Sequence, residues 1–463
     1  MVIKLLILLK KMRSKIIFAF VLVLFLISRI YKITEIPVSV YWDEASIGYN
    51  AYSIATDLKD EWGVKLPLHF RAFGEFKLPV YIYSAVVFVK AIGLNEFGVR
   101  LPSVFYSLGT LIVVYLLTKK ITKKEDAAIL AGFFLSFSPW FFIFSRTGYE
   151  ATAGLFFFLL GTYLFLLLDR NKFFILAATL SFILSFYSYN SFRIIIPIWM
   201  VFLFAYKFRE FVKSRKYIVV LAFSLLLFLL SLIPVYRLYK YDAGGARFAE
   251  VQITSEMDFV KNYFSHFSPD FLFFKGDTNP RSQIPGHGQL YLFELPLILL
   301  GLIAIIKSKK ILYFLPLATL IIAPIPAALT KESPHALRAL LATPSFAMIS
   351  ALGVMYLREN IKKFSTVILL IIIAAYYFSF ESYMVDFITK YSSETASDWQ
   401  YQYKEIFANQ KSGVVTDKYG QPYIFALYYL KYSPEKFRQE VKLNPVNEWG
   451  FSKVASFDGF QFK

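Results

Sequence analysis

Two adjacent carboxylates, Asp43 and Glu44, open the stretch YWDEASIGYNAYSIATDLKDEWG, soon after an apolar run at residues 16–33. In such a place Asp43 can cap a helix or take part in proton transfer, and one residue can do both. Other charged groups stand just as close to apolar runs. FSRTGYEA holds Arg146 and Glu150 between two of them, and TKESPHALR sets His335 near Arg338 at the start of another. A charge at such a depth costs roughly 3 kcal/mol on insertion scales, so an Arg–Glu pair there implies a partner or a task. A salt bridge that fixes the loop would suffice. Arginine beside histidine suits phosphate contacts, and an interfacial anchor is the plainer alternative. The segment SPDFLFFKGDTNPRSQIPGHGQ adds Asp277, Asn279 and Arg281 as polar contacts in a long loop of the kind that covers a site.

What positions these residues is a membrane architecture. The chain has 463 residues, 57% hydrophobic and 18% charged, with a mean hydropathy of +0.53. Apolar runs recur at 16–33, 101–117, 127–144, 151–168, 173–187, 194–206, 217–236, 290–306, 311–329, 339–357 and 364–380, about eleven spans. With the N-terminus cytoplasmic, the inner connections read KKITKK, DRNK, KFREFVKSRK, KSKK and RENIKK. Basic clusters thus alternate sides as the positive-inside rule requires, which accounts for most of the net charge of +18. Nucleic acid is therefore not an expected partner. The absence of cysteine excludes disulfides, thiolate metal sites and thiol nucleophiles.

The segment 78–93, LPVYIYSAVVFVKAIG, is too short to cross, and crossing would move every later basic cluster outside. It is expected to lie along the outer membrane surface. Residues 34–99 then form a structured platform. Within it Ile47, Ala51, Ile54, Ala55 and Leu58 share one helical face, as in an interfacial amphipathic helix with Asp43 and Glu44 at its start. Residues 237–289 form an outer loop or lid, and 1–380 make up the membrane domain. Beyond 380 the chain turns polar and aromatic. GVVTD reads as a strand, QPYIFALYYLKY and PEKFRQEV as helices, and the end as strand-like. The expected fold is an all-α polytopic membrane protein with juxtamembrane helices in the first outer loop. A small extracytoplasmic α/β domain at 381–463 completes it.

The DE pair, the WG that follows it, EFKLP, and then GLNEFGVRLPSVFYSLGTLIVVYLLTKK together resemble a known family. They are similar to the first outer loop and second span of polyprenyl-phosphate-sugar-dependent glycosyltransferases of the GT-C fold. That family includes the protein O-mannosyltransferases and the lipid A aminoarabinose transferase. The likeness runs from Asp43 to about Gly353. It implies a sugar transferred with inversion from a lipid phosphate to an acceptor hydroxyl of a glycan, lipid or protein, at the outer membrane face. Asp43 is then the general base, and Glu44 orients it or holds sugar or acceptor. Arg100 matches the family's phosphate-contacting arginine. Lys77 and Glu75 match an E-K-P-P-like segment from which Phe76 and Leu78 depart. Arg146 and Glu150 resemble an S-R-x-x-x-x-D segment with Glu150 in place of Asp.

Lys77, Arg100 and Arg338 are thus the expected donor-phosphate contacts. The resemblance implies no required cofactor. The four histidines lack a metal-binding spacing such as H-E-x-x-H, so no metal is assigned. The expected location is the cytoplasmic membrane, with the site and the C-terminal domain outside. A lipid or glycan transporter or flippase is the alternative; its charges belong near the midplane.

Overall fold

The computed structural model describes residues 2–212 and 215–463, with side chains from residue 12 onward. Lys213 and Ser214, in the KFREFVKSRK connection, and the side chains of Lys10 and Lys11 lie outside the described residues.

The first apolar run lies in α1 (Val2–Ile30), and each later run coincides with helical structure. The run at 127–144 is broken into Glu125–Phe137 and Pro139–Phe144. Pro139 has no N–H to continue the ladder and takes a first-turn position instead, where none is needed. By length and composition, five helical stretches among the described residues are long and apolar enough to cross a membrane, against about eleven expected. They are Glu96–Thr122, Asn190–Val212, Arg215–Tyr241, Ile311–Ala328 and Lys362–Glu394. Val114, Phe134, Trp140, Phe158, Trp199 and Phe346 belong to the core that packs the helices together. Val219, Leu226, Leu370, Ile371 and Phe378 point outward from the peripheral helices. So large an apolar exterior suits a hydrocarbon solvent.

The platform begins with α2 (Trp42–Asp57) and the hairpin β1 (Phe70–Ala72) and β2 (Glu75–Lys77), which pairs Phe70 with Lys77. Next come α3 (Pro79–Ile92), at 14 residues a short helix, and α4 (Glu96–Thr122). Asn95 starts α4 sharply, its side chain accepting from the Gly98 N–H at 2.9 Å.

Two expectations for α2 are corrected. Its cap position is Tyr41, and Asp43 sits inside the first turn with its side chain directed to another residue. Nor does α2 keep a wet face: Glu44, Ser46, Asn50 and Ser53 are as buried as Ile47 and Ile54. Besides α3, the helix Pro422–Tyr429 packs on α2.

The C-terminal residues form helices Tyr401–Asn409, Pro422–Tyr429 and Pro434–Glu440. They also form strands β3 (Gly413–Val415), β4 (Lys442–Leu443), β5 (Val454–Phe457) and β6 (Phe460–Phe462). The sheet order is β3-β6-β5-β4, with β3 parallel to β6 and the other pairs antiparallel. Tyr403, Tyr423, Phe425 and Phe437 share one buried cluster with Val40, Ile47, Tyr49, Phe70 and Tyr81. The C-terminal segment and the first outer loop therefore have a common core.

Candidate active site

Consecutive residues of a helix point about 100° apart, so Asp43 and Glu44 face different surroundings. Glu44 turns into the protein. Its Oε1 accepts from Arg100 Nε at 2.9 Å, and its Oε2 from Nη2 at 3.0 Å. Oε1 also accepts from the Gly148 N–H at 2.7 Å. A side chain on Gly148 would come within 3.0 Å of the Glu44 Cγ, so this approach depends on glycine. Arg100 further donates to the carbonyls of Ile33 (2.6 Å), Pro37 (3.2 Å) and Ser39 (2.6 Å). Its five N–H groups are all engaged, and both members of the pair are fully buried. Arg100, read from the sequence as a phosphate contact, has no donor left over. The geometry makes it the partner that fixes Glu44 and the segment leading into α2.

Asp43 turns the other way and keeps 24% of its side-chain surface exposed. Its Oδ1 is bound by Lys77, the last residue of β2, while Oδ2 has no hydrogen-bond partner among the described residues. Lys77 is buried and also 3.6 Å from Glu75, which in turn lies 4.0 Å from Arg247. Burial alone would lower the Lys77 pKa. The carboxylates of Asp43, Glu150 and Glu75 outweigh it and hold the ammonium above its ordinary range. Glu150 is pushed up to about 7 by burial; Lys77 opposes the rise while Asp43 and Glu75 add to it. The structure thus brings Asp43, Glu75, Lys77 and Glu150 together.

Arg146 does not join them. No ion pair with Glu150 forms among the described residues, so the salt bridge considered for this loop is absent. Arg146 instead donates to the carbonyls of Ser28 (3.1 Å), Tyr31 (2.9 Å) and Ile36 (3.0 Å). Its guanidinium lies 4.5 Å from the ring of Phe387. The stretch from Ser145 to Glu150 is not helical, so the four-residue spacing does not place the two side chains on one face.

The long outer loop divides its labour. Asp277 is buried and accepts from the Asn279 N–H (2.9 Å) and the Ala336 N–H (2.6 Å). Asn279 accepts from the Arg281 N–H at 3.0 Å. These two side chains fold the loop and fasten it to the 330s. Arg281 reaches the site: it stacks 5.0 Å from the Tyr41 ring and 5.7 Å from Trp42, within electrostatic range of Asp43. His335 lies 3.8 Å from Asp277, and burial, Arg338 and His266 push its pKa well below the ordinary histidine value. Arg338 donates to Thr330 Oγ1 at 2.7 Å. Tyr189, which no motif marked, lies within electrostatic range of Arg338, Glu150, Glu75 and Asp43. An aromatic in the connection SYNSFR was its one sequence signal.

Among the described residues no three His, Cys, Asp or Glu side chains stand together as a metal would require. The charge facing Asp43 is a cation, Lys77. What the arrangement offers is a half-open carboxylate backed by a buried ammonium, with Arg281 within electrostatic range and Arg247 beside the neighbouring Glu75.

Residues 77–233 match the family model described as dolichyl-phosphate-mannose-protein mannosyltransferase. Comparison with curated protein sequences finds no match. The archaeal oligosaccharyltransferase AglB from Archaeoglobus fulgidus, solved with an inhibitory peptide and a dolichol-phosphate, is similar in structure. Its TM-score is 0.55 at 14% identity, over 91% of this chain and 64% of that one. ArnT from Cupriavidus metallidurans in the apo state gives 0.51 at 13%, over 79% and 64%. ArnT bound to undecaprenyl phosphate gives 0.50 at 12%, over 90% and 74%. The chain spans less than two thirds of the length of the first of these structures. It has the fold of these GT-C membrane proteins, and over residues 77–233 it matches the mannosyltransferase family model, the same resemblance its sequence shows.

Proposed function

We propose that this protein is an inverting membrane glycosyltransferase that moves a sugar from a polyprenyl-phosphate-linked donor to an acceptor hydroxyl. The observation that carries the reading is the Asp43–Lys77 pair, with Oδ1 held by a buried ammonium and Oδ2 unpartnered on the open side. Asp43 Oδ2 takes the acceptor proton as the acceptor oxygen bonds to the anomeric carbon. On the opposite face the bond from that carbon to the phosphate oxygen breaks, and the phosphate leaves with the electron pair. It needs no proton from a general acid, only fixed cations as its charge grows. Arg338 and Arg281 are the candidates for that task, since Arg100 is fully engaged. Lys77 stays on the base and keeps it aimed.

Several features support this reading over a transporter. The charged residues sit at the ends of helices and in the loops beside them. A cleft of about 570 Å³ lined by Ile253, Phe259, Val260 and Leu329 lies next to Thr330, the partner of Arg338. Thr254, Ser255 and Glu256 line it as well, so it offers one apolar side on which a polyprenyl chain could lie. The active face and the C-terminal segment are assigned to the extracytoplasmic side, as the basic clusters indicate. Purified protein reconstituted with polyprenyl-phosphate sugars is expected to release polyprenyl phosphate in the presence of acceptor. Asp43→Asn should lower turnover about 10²–10⁴-fold while donor binding persists. Near-wild-type turnover in that variant would remove Asp43 from the role.

A further inference from the structure

The N-terminus of α2 is completed by a residue 358 positions away. Tyr41 supplies no side-chain cap, and the Trp42 N–H donates instead to Gln400 Oε1 at 2.9 Å. The other end of that amide donates to the Tyr419 carbonyl at 2.7 Å. Gln400 is buried and holds a left-handed backbone conformation (φ 54°, ψ 38°), uncommon for a residue other than glycine. Gly420, at φ 125°, lets the following turn close over the contact. A Cβ there would come 2.4 Å from the Trp42 ring and 2.9 Å from Gln400 Nε2.

Its neighbours grip the same region. The Trp399 carbonyl accepts from Ser39 Oγ, and the Trp399 ring lies 5.8 Å from the Arg100 guanidinium and edge-on to Tyr41 at 5.4 Å. The Asp398 carbonyl accepts from Arg281 Nη1 at 3.1 Å. Lys404 donates to the Val38 carbonyl at 3.2 Å and pairs with Glu96 at 2.9 Å. Three consecutive residues, 398–400, therefore hold Arg281, the segment entering α2, and the first N–H of the helix that bears Asp43.

We infer that Gln400 is a positioning residue for the transfer reaction. It touches no substrate; it fixes the first turn of α2 and so the direction in which Asp43 Oδ2 points. The inference rests on Asp43 being the base. Displacing a base by about an ångström costs on the order of 10²-fold in rate.

The test measures kcat and KM for polyprenyl-phosphate sugar and acceptor, together with thermal unfolding, on the full chain in detergent. Gln400→Leu is expected to lower kcat roughly 10- to 100-fold, with both KM values within about twofold of wild type. Gln400→Glu keeps an acceptor oxygen for the Trp42 N–H but loses the donor to the Tyr419 carbonyl, and should recover part of that loss. A merely structural role would give a loss of activity that tracks the loss of folded protein, and that result overturns the inference. So does wild-type kcat in Gln400→Leu. If Gln400→Leu does not fold, Gly420→Ala, which presses on the same contact, decides: lowered kcat at unchanged KM supports the inference and unchanged kcat refutes it. An inactive wild type would instead count against the transferase reading, and Asp43→Asn in the same assay separates the two failures.

Discussion

Asp43 and Glu44 are chemically alike, yet their neighbours assign them opposite work. Glu44 and Arg100 form a closed pair, and removing one partner of such a pair typically costs about 3–5 kcal/mol because the other charge is stranded. Arg100→Ala should therefore be lost mainly as folded protein, seen as a lower unfolding temperature in detergent. A stable variant altered only in donor KM would return Arg100 to the phosphate. Glu61, buried near Asp60 and Lys77, gives a pH signature. Burial first, then the Asp60 charge, pushes its pKa from an ordinary 4.5 up to about 8. In the folded state the neutral acid is favoured, so this contribution to stability is complete below pH 4.5 and is lost as pH rises through about 8. Wild type should lose stability relative to Glu61→Gln across that window, by a few kcal/mol. Parallel unfolding curves for the two proteins from pH 4.5 to 8.5 would show that Glu61 ionises freely.

At the scale of elements, the sequence showed more of the parts than of their joints. Apolar runs, the DE pair and the C-terminal helices all announce themselves by spacing and residue type. Pairings across long separations do not: Glu44 with Arg100, 56 residues apart, and Trp42 with Gln400 carry no local signature. The wet face expected on α2 failed for the same reason. Serine and asparagine there looked solvent-bound, and what covers them lies near the other end of the chain. The salt bridge weighed for Arg146 and Glu150 fails because backbone carbonyls, of Ser28, Tyr31 and Ile36, take up the arginine instead. The outer loop is an element whose anchor can be tested. Asp277→Ala leaves the Ala336 N–H without its partner and frees the turn that carries Arg281. Losing one such buried contact costs about 1–3 kcal/mol. Limited proteolysis of residues 270–290 should accelerate, and kcat/KM for the donor should fall about tenfold. Unchanged cleavage would mean that other contacts hold the loop.

The whole molecule makes sense only if its two faces meet different compartments. The chain has no cysteine, so single cysteines report without background. Thr56 and Ser412 are exposed in the platform and the C-terminal segment, and Asn171 is exposed in the DRNK connection. An impermeant maleimide should label Thr56→Cys and Ser412→Cys in intact cells and reach Asn171→Cys only after permeabilisation. The reverse pattern would turn the proposed site toward the cytosol and remove the case for a lipid-carried donor.

The shared core of the platform and the C-terminal segment also has a consequence in time. A ribosome adding about 5–20 residues per second needs roughly 20–70 seconds to travel from Trp42 to Gln400. Throughout that interval the first outer loop is already made, while the residues that cover α2 and cap its first turn do not yet exist. A chain made only as far as Arg338 therefore holds the charged groups gathered around Asp43 without the residue that caps the first turn of α2. On the function proposed above, full turnover would then await the last part of synthesis, after the membrane helices have been made.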